Sequence, residues 1–189
     1  VNFFKRSTAL PVGGFGSNEY PFFKDAHVQS RTVTGAADSA DDETSPSKFL
    51  TFLIGSETYG LDIQHVREII GMQKITNVPD VPEFVKGVIN LRGKVIPVMD
   101  VRARFRLAER AYDHRTCIIV IHVKEWTVGL VVDTVSEVLD IAPESIEPAP
   151  RVGANSTARY LSGIGKVGDQ VRLLLNAEQL LGGITGEAA

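Results

Sequence analysis

The sequence predicts a mainly β fold with a few short helices, arranged as two small barrels packed against each other. Three observations carry this. Short apolar runs alternate with turn signals from Lys48 onward, which is the pattern of strands joined by hairpins. The chain repeats itself: shifted by 69 residues, 48–71 falls on 117–140 without a gap, and shifted by 76, 84–105 falls on 160–181. Each unit of about 60 residues is too small for a large independent core, so two curled units that hide their edges against each other are the economical solution.

The elements follow in order. Residues 1–47 read as an N-terminal extension and linker. Five of the nine phenylalanines lie there (Phe3, Phe4, Phe15, Phe22 and Phe23), read either as a loose tail or as a docking segment for a partner. Between Ser30 and Ser47 Ser, Thr, Ala, Gly and acids dominate, with Asp38, Asp41, Asp42 and Glu43 close together. Such a composition buries too little apolar surface to offset the entropy of ordering. Phe49 to Ile54 reads as a strand, Gly55-Ser56-Glu57 as a turn and Thr58 to Leu61 as the return strand. Asp62 is placed to cap a short helix, its carboxylate accepting first-turn N–H groups. Ile63, Val66, Ile69 and Ile70 follow at helical spacing, and Gly71 closes the helix. Val95 to Met99 reads as a strand whose Pro97 belongs at an edge or a bulge, having no N–H to donate. Cys117 to Val123 is apolar on both faces and reads as a buried strand. Lys124-Glu125 turns it into Trp126 to Val132.

The internal alignment is detailed. Thr58, Gly60, Leu61, Val66 and Glu68 meet identical residues at Thr127, Gly129, Leu130, Val135 and Glu137. Gly87 meets Gly163, Val95 meets Val171, and Asp100 meets Asn176. The repeats span about 48–105 and 117–181 of a domain over 48–183, followed by a tail at 184–189. The change of shift implies an insertion of seven residues (76 − 69), expected within Pro143–Thr157.

Composition excludes several classes. The 189 residues carry a formal net charge of −3, one cysteine and four histidines. A single Cys117 rules out a disulfide framework within the chain. The longest apolar run, Cys117 to Ile121, is far short of the ~20 residues of a membrane helix. No secretory h-region stands out in the first thirty residues, so the expected setting is the cytoplasm. His27, His65, His114 and His122 form no metal-ligand spacing, and there is no nucleophile motif. Catalytic, cofactor and metal sites are therefore not expected. Gly163 to Gly168 satisfies G-x-G-x-x-G, but a strand follows it rather than the helix a dinucleotide site requires; Gly168-Asp169 reads as a hairpin turn. Residues 92–115 hold seven bases and three acids, net +4 (7 − 3). A small β-barrel nucleic-acid binder using this segment is the alternative from another class. The absence of interleaved aromatics and the acidic whole chain argue against it.

One stretch is far more specific: Phe84-Val-Lys-Gly-Val-Ile-Asn-Leu-Arg-Gly-Lys-Val-Ile-Pro-Val-Met-Asp100. It resembles the central motif of the CheW family, the coupling proteins of bacterial chemosensory arrays. Tyr59 to Ile70, Val128 to Asp133 and Tyr160 to Gly165 resemble the family's other segments, in consistent order across about 48–182. The resemblance implies two SH3-like five-stranded barrels and no catalysis. It implies an adaptor that binds the regulatory domain of a CheA-type histidine kinase and the cytoplasmic tip of methyl-accepting chemoreceptors, at membrane-associated arrays, with no cofactor, nucleic acid or membrane insertion of its own. Carried over by position, the interaction residues are Val66, Glu68, Ile69, Gly87, Asn90 and Arg92. The internal alignment supports a special Glu68–Arg92 pair: Glu68 has a counterpart in Glu137, but Arg92 falls on Gly168. Only the first repeat can form this ion pair, which is expected to hold a helix against the Asn90-Leu-Arg-Gly93 turn.

Overall fold

A computed structural model of the chain describes residues 46–150 and 157–184. The phenylalanine-bearing extension, most of the acidic linker, part of the expected insertion (151–156) and the last five residues of the tail lie outside the described residues.

The first repeat lays down β1 (Ser47–Ile54), β2 (Glu57–Asp62), β3 (Val66–Gly71), β4 (Val85–Leu91), β5 (Lys94–Asp100) and α1 (Val101–Arg104). The second lays down β6 (Cys117–Val123), β7 (Trp126–Val132), β8 (Thr134–Ile141), β9 (Ile146–Pro148), β10 (Leu161–Val167), β11 (Gln170–Leu175) and α2 (Ala177–Leu181). The mainly β, two-subdomain expectation holds, although the two five-stranded barrels expected are sheets of six and five strands that do not close, and each repeat ends on a side-chain-capped helical turn. Asp100 accepts from the Ala103 N–H at 3.1 Å, and its counterpart Asn176 accepts from the Gln179 N–H at 3.0 Å.

The sheets cut across the repeats. One sheet runs β8-β1-β2-β11-β10-β9 and the other β3-β6-β7-β5-β4. Each repeat thus lends two strands to the other's sheet, so neither unit curls on itself alone. The joins are parallel and related by the repeat: Leu174 lies beside Gly60 as Val98 lies beside Gly129. Glycine suits both joins, because a Cβ at Gly60 would stand 2.8 Å from Leu174 and one at Gly129 2.7 Å from Ile118.

The expected helix at 63–70 is mostly a strand. Asp62 does cap a helical turn, accepting from the Gln64 N–H at 2.9 Å, but the turn is 3₁₀ and ends at His65. Val66–Gly71 then pairs antiparallel with β6. The β-branched Val66, Ile69 and Ile70 suit a pleated surface, and pairing with β6 decides between the two periods. Pro97 is on an inner strand rather than an edge. It is tolerated because Val88 opposite it exchanges its backbone bonds with Thr76 (2.8 and 2.9 Å), while the parallel join to β7 begins only at Val98. β6 is buried on both faces as expected. Ile119 and Ile121 enter the large core shared by the two sheets, whereas Ile118 and Val120 enter a smaller cluster with Ile89, Ile96 and Val98.

Polar clamps tie the halves together. The buried Arg104 guanidinium lies between the rings of Phe84 (4.2 Å) and Tyr160 (4.9 Å) and donates to the carbonyls of Leu180 and Gly182, at the end of α2. Asp133, 7% exposed, accepts from Arg102 at 2.7 Å and from the Gly55 N–H at 2.8 Å.

Candidate functional site

The β4–β5 connection is a two-residue hairpin turn, Arg92-Gly93, with φ of +51° and +84°. Two successive positive φ values match the twist of the flanking strands. Asn90 secures the turn by accepting the Gly93 N–H at 2.8 Å. Glycine meets the second position without cost, but arginine in the left-handed region is disfavoured by about 1–2 kcal/mol. The equivalent hairpin of the second repeat places Gly168 there, at φ +58°. The β6–β7 turn shows the same substitution in reverse: Lys124, at φ +53°, stands where the first repeat has Gly55.

Arg92 reaches back across the sheet to Glu68, Nη2 to Oε2 at 2.9 Å. The expected pair is present, although Glu68 rides on strand β3 rather than a helix. The arginine side chain is 80% exposed and the glutamate 26%. Beneath the hairpin lies a concavity of about 350 Å³. Leu91, Ile96 and Val120 contribute its apolar surface, and the exposed Arg67 and Lys94 add two further cations. His122 also lines it, held by Thr127 at 3.1 Å. Burial, then the like charge of Arg67, pushes its pKa down.

The other sequence-derived residues separate. Val66 is half-buried and packs against the shared core, while Ile69 is 46% exposed on the opposite face of β3 from Glu68. They do not form the single helical stripe that their spacing suggested. Gly87 is buried at a bulge with φ +133°, where a Cβ would stand 2.1 Å from the Thr76 carbonyl oxygen. Its contribution is to let the 75–76 backbone lie on β4; it presents no side chain to a partner. Gly163 does the same in the second repeat, facing the Glu147 carbonyl.

Sequence reasoning missed the exposed apolar Val95 (53%), next to the hairpin, and the counterparts of Ile69 and Val95, namely Val138 (49%) and Val171 (54%). The internal alignment already pairs them; exposure at both members of a pair is visible only in the fold. The basic segment 92–115 is largely spent internally. Arg102 pairs with Asp133, Arg110 and Arg115 with Asp113, and Arg104 is buried. The Arg115 backbone N–H and the neighbouring guanidinium groups hold the Asp113 carboxyl down at about 2. Among the described residues no His, Cys, Asp and Glu group has metal-binding geometry, and no helix is long and apolar enough to cross a membrane.

Two SH3-like sheets built by exchange of strands between the repeats, with a charged hairpin displayed at one edge, define a small two-sheet β domain. The chain belongs to the CheW-like family, whose domain description matches residues 48–184. It is 41% identical over 139 residues to the chemotaxis protein CheW of Klebsiella aerogenes, covering 74% of this chain and 84% of that one. The CheW of Helicobacter pylori is 31% identical over 159 residues, covering 84% and 94%. The crystal structure of the scaffolding protein TtCheW from Thermoanaerobacter tengcongensis superposes with a TM-score of 0.67 at 39% identity, covering 72% of this chain and 92% of that one.

Proposed function

We propose that this chemotaxis scaffold is a non-catalytic adaptor that couples chemoreceptors to a CheA-type histidine kinase in the cytoplasm, at membrane-associated arrays. The observation that carries the reading is the Arg92 hairpin. A disfavoured backbone conformation at an exposed arginine is retained where the sister repeat uses glycine, and such strain accumulates at functional sites. Glu68 orients the guanidinium, Asn90 fixes the turn, and Val66 and Gly87 support the surface from behind. Ile69 and Val95 add exposed apolar area on one sheet, and Val138 and Val171 on the other. Two such surfaces on one rigid body suit an adaptor that meets two partners at once. Simultaneous contact with receptor and kinase would then favour one kinase state by its differential affinity for that state.

The test is reconstitution of receptor, kinase and this chain. The wild type is expected to bind the kinase regulatory domain and to support receptor-dependent autophosphorylation. Arg92→Glu is expected to keep the fold and lose receptor control. Absence of kinase-domain binding at high micromolar concentration, or full receptor control by Arg92→Glu, would refute the reading.

A further inference from the structure

We infer that the concavity beneath the Arg92 hairpin is a binding site for a small amphipathic anion, a carboxylate carried on a short apolar body. Ile96 and Val120 belong to the smaller apolar cluster, on the sheet face turned away from the shared core, since successive residues of β6 alternate between the two clusters. Met72 and Ile75 pack against that cluster but do not line the concavity. What they leave uncovered is an aliphatic floor of Leu91, Ile96 and Val120, beside His122 and Thr127. Three cations, Arg67, Arg92 and Lys94, surround it against one acid, Glu68, a net of +2 (3 − 1). Arg92 is matched by Glu68, but Arg67 and Lys94 have no ion-pair partner among the described residues. An apolar hollow at one end of a curved sheet, with a few converging polar groups, is where small ligands seat.

The sister repeat shows that the fold does not impose this charge. At offsets of 69 and 76, Arg67, His122, Arg92 and Lys94 fall on Ser136, Leu53, Gly168 and Gln170, none of them basic, while Glu68 falls on Glu137. The floor positions Leu91, Ile96 and Val120 become Val167, Arg172 and Thr51. Arg172 balances Glu137 (1 − 1) and is engaged by the Gln170 side chain and the Val171 carbonyl. Only the first repeat joins a basic rim to an aliphatic floor. An inorganic anion makes no use of the floor, and an apolar amine is repelled by the rim. A carboxylate on an alkyl body uses both: the guanidinium groups pair with the carboxylate, and the floor removes the alkyl body from water. Size narrows the class further. About 350 Å³ holds on the order of ten water-sized groups at ~30 Å³ each, which matches octanoate, with about ten non-hydrogen atoms, and is too small for a nucleotide. At ordinary ligand efficiency so small a molecule binds with a Kd of about 1–10 mM. The site stands apart from the adaptor reading, because it fills or fails with no partner present.

The experiment is an NMR titration of the full chain with octanoate, acetate and octylammonium as probes, read at the Ile96 and Val120 methyl groups and the His122 ring. Octanoate is expected to shift these signals saturably, with a Kd of about 1–10 mM. Acetate, lacking the alkyl body, and octylammonium, with the charge reversed, should each bind at least about tenfold more weakly. The variant Arg67→Ser, Lys94→Gln carries the second repeat's residues and keeps the Glu68–Arg92 pair. It should bind octanoate about fivefold more weakly or worse, with its melting temperature unchanged, since both side chains are exposed. No saturable shift at these residues by about 50 mM octanoate would overturn the proposal. So would an equal response to acetate, which would make this a bare ion contact, or to octylammonium, which would leave only an apolar surface. Unchanged affinity in the variant would also overturn it. Shifts caused by a glutamate-rich peptide but not by octanoate would assign the concavity to an acidic polypeptide and overturn it as well.

Discussion

Replacing Arg92 by glycine separates what this residue does for the fold from what it does for a partner. Arg92 holds φ +51°, and relieving a side chain from that region returns about 1–2 kcal/mol. Two terms oppose the gain. The exposed ion pair to Glu68 contributes about 0–1 kcal/mol, and the freer unfolded chain of a glycine variant costs about 0.4–1 kcal/mol. The balance runs from about 1 kcal/mol of loss to about 1.6 kcal/mol of gain, a shift of roughly 6 °C or less in Tm for a domain of this size. Arg92→Ala loses the same ion pair but keeps the strained backbone, so it should be the less stable variant by roughly 0.5–1 kcal/mol. Urea melts of both variants, alongside receptor-dependent kinase assays, give the comparison. Both should lose coupling while remaining folded. If glycine costs more than about 2 kcal/mol, the ion pair is a structural element rather than an exposed contact. If alanine equals or exceeds glycine in stability, the backbone strain argument fails.

Three further outcomes follow from the packing. Gly87→Ala should destabilise by about 3 kcal/mol or more, because its Cβ would meet the Thr76 carbonyl oxygen. Gly71→Ala, which faces open space, should stay within about 0.5 kcal/mol in the same denaturant melts. Asp133→Ala should cost about 3–5 kcal/mol, since it leaves the largely buried Arg102 without a carboxylate, on the Ala108 carbonyl alone, and the Gly55 N–H unmatched; a loss below about 1 kcal/mol would show that this clamp is dispensable. The folded His122 ring binds its proton more weakly than the unfolded one. Its contribution to stability is therefore complete above the unfolded value of 6.5 and drains as pH falls through it, until the folded ring also protonates. Urea melts between pH 7.5 and 5 should show this loss, and His122→Gln should flatten it.

Much of this protein was legible before any coordinates. Strand starts and stops follow from apolar runs and turn residues, which are local signals. The doubling of the fold is written as identical residues at constant offsets, and the same offsets isolate Arg92 as the member without a counterpart. The motif from Phe84 to Asp100 points to the family. The Glu68–Arg92 pair was expected from the family resemblance, and the internal alignment supported it because Arg92 falls on Gly168 in the second repeat.

Other features required the fold. Val66, Ile69 and Ile70 fit helical and strand periods equally well over so short a span, and the pairing with β6 selects the strand. Gly87 looked like a member of the surface motif, yet the close approach of Thr76 buries it. The segment 92–115 reads only as a net charge of +4 in the sequence; the fold pairs Arg102 with Asp133 and Arg110 and Arg115 with Asp113, and draws Arg104 between two rings. The sequence by itself determined two copies of the same set of strands and turns, because neighbouring residues encode periodicity and turn geometry. Which sheet each strand joined was decided only by the tertiary structure. Backbone pairing across more than a hundred residues, such as β2 with β11, leaves no period in the chain, and it is this exchange that binds the two sheets into one body.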